Sequence, residues 1–104
     1  MSVTTKIIPD EDRLDITFEG KLDVTVWQGV CDACKHLPAH VQACIVDLTR
    51  VERVFDSGIA ILGLLYRLMR SLGTTVIFLC DDAVIRKRVA TIASPLWHPP
   101  SPIA

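Results

Sequence analysis

The sequence predicts an α/β domain: a mixed sheet of about four strands, opened by a β-hairpin, with helices packed against it. Three observations carry this. The first 19 residues hold two strand-like segments around a Pro9-Asp10-Glu11-Asp12 turn. Two continuously apolar runs, over 42–48 and 74–80, have the character of central strands. Helical periodicity precedes the first run, separates the two and follows the second, so that strands and helices alternate. A chain of 104 residues that is half hydrophobic and 22% charged fits one domain with its own core.

Residues 3–8 form the first predicted strand. Over 13–19, Leu14, Ile16 and Phe18 alternate with Asp15, Thr17 and Glu19, the period of a half-buried strand. Gly20-Lys21-Leu22-Asp23 then turns the chain into a helix over roughly 25–37. Its apolar stripe is Val26, Val30, Ala33 and Leu37, widened by Trp27, Cys31 and Cys34. Asp23 or Thr25 can cap it, and Pro38 ends it. The strand over 42–48 is expected to be covered on both faces, and a loop carrying Val51, Val54 and Phe55 leads to a second helix over 57–72. Ile61, Leu65, Leu68 and Leu72 form that helix's buried face, beside Leu62 and Met69, and Gly73 supplies a left-handed C-terminal cap. After the strand over 74–80, Asp81 or Asp82 caps a third helix with Ile85, Val89 and Ile92 facing inward. Ser94-Pro95 stops it. The domain is read as 1–93, followed by a proline-rich tail over 94–104.

The formal net charge of -1 supplies no global field for nucleic acid or an anionic membrane. The most apolar run, over 59–69, is shorter than the ~20 residues of a membrane span and is interrupted by Arg67. A protein of the cytoplasm is expected, with Cys31, Cys34, Cys44 and Cys80 as reduced core thiols.

Asp56 and Ser57 are first of all candidate helix caps. They also fall beside the carboxyl end of a predicted central strand, where open α/β sheets bind their partners. Cys31, Cys34, His36, His40 and Cys44 are metal-capable residues in a short span, but a lone CxxC inside a helix is a poor zinc signal, and no metal or cofactor is expected. Arg86, Lys87 and Arg88 read as a solvated helix face. No glycine-rich phosphate loop or G-x-S-x-G elbow occurs, and no His lies near Ser57 in sequence, so the chain is not expected to be an enzyme.

Gly20-Lys21-Leu22-Asp23, Asp47-Leu48-Thr49, the Asp56-Ser57-Gly58 turn and the Leu-rich helix closing at Gly73, in this order and spacing, resemble the STAS domain of bacterial anti-sigma factor antagonists. The similarity runs over 3–92. It implies a STAS-like sandwich and a non-catalytic regulator of transcription that docks a kinase-like anti-sigma partner and is phosphorylated on a hydroxyl at the start of the second helix. Phosphate adds about -1.5 to -2 charge where the partner docks. The family pattern is D-L-x-x-V-x-x-I-D-S-S-G. A gapless count from Asp47 to Gly58 places Phe55 at the family's aspartate, Asp56 at the phosphosite and Ser57 one place later. A competing register deletes one residue and makes Ser57 the phosphosite. The gapless count is preferred because Gly58-Ile59-Ala60 then matches the small-residue start of the family helix. The expected partner surface is Phe55, Asp56, Ser57 and Gly58, with the exposed helix face near Ala60 and Gly63. The same resemblance admits a second reading, an accessory subunit or tail-like module of a membrane transport system.

Overall fold

The computed structural model describes residues 2–35 and 41–92. The expectations for Pro38 as a helix stop, for His36 and His40, and for the 94–104 tail lie outside the described residues. Strands β1 (Ser2–Ile8) and β2 (Arg13–Leu22) form the predicted antiparallel hairpin. They are joined by a 3-10 turn at Pro9–Glu11 and by Asp12 in the left-handed region. β2 is parallel to β3 (Ala43–Val54), and β3 to β4 (Thr75–Leu79). The order β1-β2-β3-β4 is therefore a mixed four-stranded sheet.

Each parallel pair needs a crossover, and each crossover carries a helix. A 3-10 turn at Val24–Val26, capped by the Asp23 carboxylate accepting from Thr25 N at 2.9 Å, leads into α1 (Trp27–Lys35). α2 (Asp56–Ser71) links β3 to β4, and α3 (Ala83–Val89) follows β4. Two right-handed crossovers stepping the same way across a sheet place their helices on one face. The burial pattern agrees. Register aligns Leu14, Cys44 and Val76 in one row and Ile16, Val46 and Phe78 in the next, all buried against the helices. Their neighbours Asp15, Ile45 and Ile77 on the opposite face are only half-buried. Among the described residues the expectation of strands covered on both faces is thus corrected to one covered face.

Several local readings hold. Asp82 caps α3, its carboxylate accepting from Val84 N at 2.9 Å and Ile85 N at 3.1 Å. Gly73 closes α2 at φ 78°. Others shift. Gly20 to Leu22 continue β2 as strand, and residues 49–54 continue β3 where a loop was expected, because these two extensions pair with each other from Glu19↔Arg50 to Leu22↔Val54. Trp27 is 45% exposed, outside the core stripe of α1. Cys31 and Cys34 are half-exposed and only Cys44 and Cys80 are buried, so two of the four thiols are core residues.

Burial first, and the Asp15 charge second, push the Cys44 thiol up to about 12, and burial also raises Cys80 and Cys34. The thiolate is the reactive species. Iodoacetamide at pH 8 is expected to modify Cys31 first and Cys34 more slowly in the native protein, whereas Cys44 and Cys80 wait for unfolding, as peptide mass mapping will read. The Cys44 contribution to stability is complete below the unfolded thiol value of 9.0 and declines as pH rises from there toward about 12.

Candidate functional site

The carboxyl ends of β2 and β3 meet the first turn of α2. Leu22, fully buried, ends β2 with its carbonyl accepting from Phe55 N at 2.9 Å. Gly58 then brings the helix backbone onto the same carbonyl: a Cβ at this position would stand 2.1 Å from Leu22 O and 2.6 Å from Leu22 C. No side chain larger than hydrogen fits there, so the Asp56-Ser57-Gly58 turn needs its glycine for steric reasons.

The expected capping by Asp56 or Ser57 is not what forms the helix end. Phe55 is the N-cap residue, in extended conformation (φ -105°, ψ 161°), with no side-chain cap bond. The helix begins one residue earlier than the sequence suggested, which puts Asp56 and Ser57 inside its first turn. Both side chains are exposed. The Asp56 carboxylate accepts a hydrogen bond from Arg88 Nη2, while Arg88 Nη1 donates to Val54 O at 2.7 Å. One guanidinium therefore clips the end of β3 to the start of α2. The expectation of a wholly solvated Arg86-Lys87-Arg88 face is corrected accordingly: Arg86 Nη2 donates to Cys80 O at 2.9 Å, and only Lys87 is fully on the exposed side.

Phe55 is half-buried, with the Arg53 guanidinium 5.1 Å from its ring centroid. On the neighbouring strand end, the hydroxyl and backbone N–H of Thr25 hold the Asp23 carboxyl below the usual carboxylate range. Asp47 plays a local role, accepting from Thr49 N at 2.9 Å and Thr49 Oγ1 at 2.6 Å, just where the β2–β3 register shifts. Of the expected helix-face residues, Ala60 is exposed but Gly63 is buried. A Cβ at Gly63 would lie 3.8 Å from Ile92, because the chain after α3 packs over that side of α2. Phe55, Asp56, Ser57 and Ala60 thus share a surface at one end of the helix, whereas Gly58 and Gly63, both expected to join it, are buried, Gly58 against Leu22 and Gly63 beside Ile92. Arg88 was missed as a site residue; its signal, a basic residue one turn before Ile92 on the third helix, is indistinguishable in sequence from a solvated one. Among the described residues no group of three or more His, Cys, Asp or Glu is placed to hold a metal.

No protein-family model and no curated protein matches the sequence. Solved structures do. A variant of RsbS from Moorella thermoacetica superposes with a TM-score of 0.74 at 17% identity, over 92% of this chain and 81% of that one. The anti-sigma factor antagonist SpoIIAA in its unphosphorylated form gives a TM-score of 0.62 at 16% identity, over 83% of this chain and 79% of that one. This chain has the STAS fold. A TM-score of 0.65 relates it also to Mglu at 21% identity, covering 77% of this chain but only 19% of Mglu, so the match is to a small part of that larger protein. Within the STAS fold the turn at Asp56-Ser57-Gly58 stands on the helix that follows the third strand. No described helix is long and apolar enough to cross a membrane.

Gly58→Ala is expected to destabilise the domain by about 2–3 kcal/mol or prevent folding, since backbone atoms of β2 must move to admit one methyl group. Gly63→Ala, which meets Ile92 at ordinary contact distance, is expected to be near neutral. Urea denaturation of the two variants will show the difference.

Proposed function

We propose that this chain is a non-catalytic regulatory module of the anti-sigma antagonist type, which docks a kinase-like anti-sigma partner through the first turn of α2. The observation that supports this reading is the exposed Asp56-Ser57 pair on a helix end anchored by Leu22 and Gly58. The likeness in fold to SpoIIAA and RsbS supports the regulatory class. SpoIIAA has been solved in both phosphorylated and unphosphorylated forms, which makes a modified hydroxyl a coherent control for this module too.

Ser57 is the hydroxyl proposed for phosphorylation. Asp56, in the gapless register, supplies a fixed carboxylate where the family alternates hydroxyl and phosphate, a weaker and permanent negative charge. Arg88 partly neutralises that charge, so the constitutive carboxylate does not by itself exclude a partner. A phosphate on Ser57 adds charge that Asp56 cannot help to neutralise.

Asp56→Arg places a cation beside Arg88 at an exposed position, leaving the core untouched. It is expected to abolish capture of an ATP-binding anti-sigma kinase from the native cell while leaving the thermal melt unchanged. Undiminished capture would overturn the docking reading. Intact-mass analysis of the protein from the same cells decides between the registers: a phosphate-sized increment mapping to Ser57 is expected on the competing register, and none on the gapless count.

A further inference from the structure

Two thiols that the docking surface does not use stand together on α1. Cys31 and Cys34 are both half-exposed and lie three residues apart, as neighbours on one side of the helix. Their settings differ. Cys34 packs against the core cluster, and burial, with the Cys31 charge second, pushes its thiol up. Cys31 has no place among the described residues packed on that core, so a small molecule in solvent meets it first.

α1 is anchored ahead of the pair. A Cβ at Gly29 would stand 2.7 Å from Val3 Cβ, so the helix is seated closely on β1 there, and Val30 is buried beside it. Both cysteines fall in the closing stretch, before α1 ends at Lys35. In a regular α-helix, Cβ atoms three residues apart are about 5–6 Å distant. A disulfide needs about 3.5–4.5 Å. A 3-10 turn closes that gap because its side chains at i and i+3 eclipse, and helices often tighten in this way at their ends. Bridging Cys31 to Cys34 therefore asks for a local tightening of the last turn, and the resulting bond is strained and easily reduced. Cys44 is the other thiol near Cys34, close enough to feel its charge, but it is 0% exposed on β3 and out of reach of a dissolved oxidant.

We propose that Cys31 and Cys34 are a reversible dithiol–disulfide pair, oxidised by a low-molecular-weight disulfide of the glutathione type and restored by the corresponding thiol. The Cys31 thiolate attacks one sulfur of the small disulfide, forming a mixed disulfide and releasing one small thiolate. Cys34 then gives its proton to water and attacks the Cys31 sulfur, displacing the second small thiolate. Two protein thiols and one small disulfide become one protein disulfide and two small thiols, so the protein is oxidised by two electrons and the small disulfide is reduced by two. The inference is independent of the docking reading, since α1 contributes no residue to the Asp56-Ser57 turn.

The test incubates the full native chain with glutathione disulfide, stops the reaction at timed intervals with iodoacetamide in urea, and maps tryptic peptides by mass. The peptide 22–35 holds Cys31 and Cys34 and neither of the other two cysteines. It is expected to lose two hydrogen atoms and resist alkylation while Cys44 and Cys80 are still alkylated as free thiols, and added glutathione is expected to reverse the change. In Cys34→Ser, its fold verified by circular dichroism, a glutathione adduct on Cys31 is expected to persist. In Cys31→Ser, verified likewise, the half-buried Cys34 is expected to react at least about tenfold more slowly. A lasting adduct on Cys31 of the native chain, or no oxidation of peptide 22–35 at all, would overturn the inference. So would a bridge from Cys34 to Cys44, a bridge from Cys31 to a second copy of the chain, or pairing no faster than Cys44 and Cys80 take up glutathione, which marks a reaction of the unfolded chain.

Discussion

The close seat of α2 on the carbonyl of Leu22 is the constraint on which the candidate site depends. That one oxygen accepts from Phe55 N and lies under Gly58. To bring it there, β2 must run on past Glu19 through Gly20, whose φ of 85° accompanies a slip in the β2–β3 register. β3 must run equally far, to Val54, to stay paired with it. The bulged extension turns Leu22 fully into the core, so the carbonyl that receives the helix belongs to a rigid residue. Asp56 and Ser57 are displayed in consequence of this arrangement, since the helix cannot start later without moving Gly58 off its seat.

Arg88 completes the frame from the other side. Its bonds to Val54 O and Asp56 join α3 to the same corner, and Ile92 packing toward Gly63 holds α3 alongside α2 further down. An ion pair with so exposed a carboxylate adds little to stability. Its effect is orientation: the carboxylate is turned toward α3, and Ser57 stays exposed next to it in the first turn.

Much of this was legible in the sequence, and the misses share a cause. Strict alternation in Leu14, Ile16 and Phe18 made the hairpin readable, and Asp82 and Gly73 announced their caps because those roles demand particular residue types. The extension of β3 was not legible, because Thr49, Arg50, Glu52 and Arg53 have the composition of a loop and are strand only through pairing with β2. Leu68 and Leu72 were assigned to the core because hydrophobicity shows that a side chain avoids water but not which surface covers it. Gly63 and Arg88 depend on how α3 lies across α2, a tertiary relation that carries no local signal. The motif Asp56-Ser57-Gly58 was found, yet for a different physical reason than capping: its glycine is a contact surface and its polar pair is cargo on the first turn.

The sign of the charges matters most at the head of α2, where Asp56 is paired with Arg88. On the proposed control, phosphate on Ser57 would set about -1.5 to -2 charge beside the Asp56 carboxylate, where a partner would dock. The helix dipole would favour such a phosphate at its N-terminus by about 0.3–1 kcal/mol. With Gly58 seated on the Leu22 carbonyl, the turn would have little room for backbone rearrangement on modification. Its influence on the proposed docking would then be electrostatic and steric at the surface, graded by salt, and greatest for partner groups nearest Asp56.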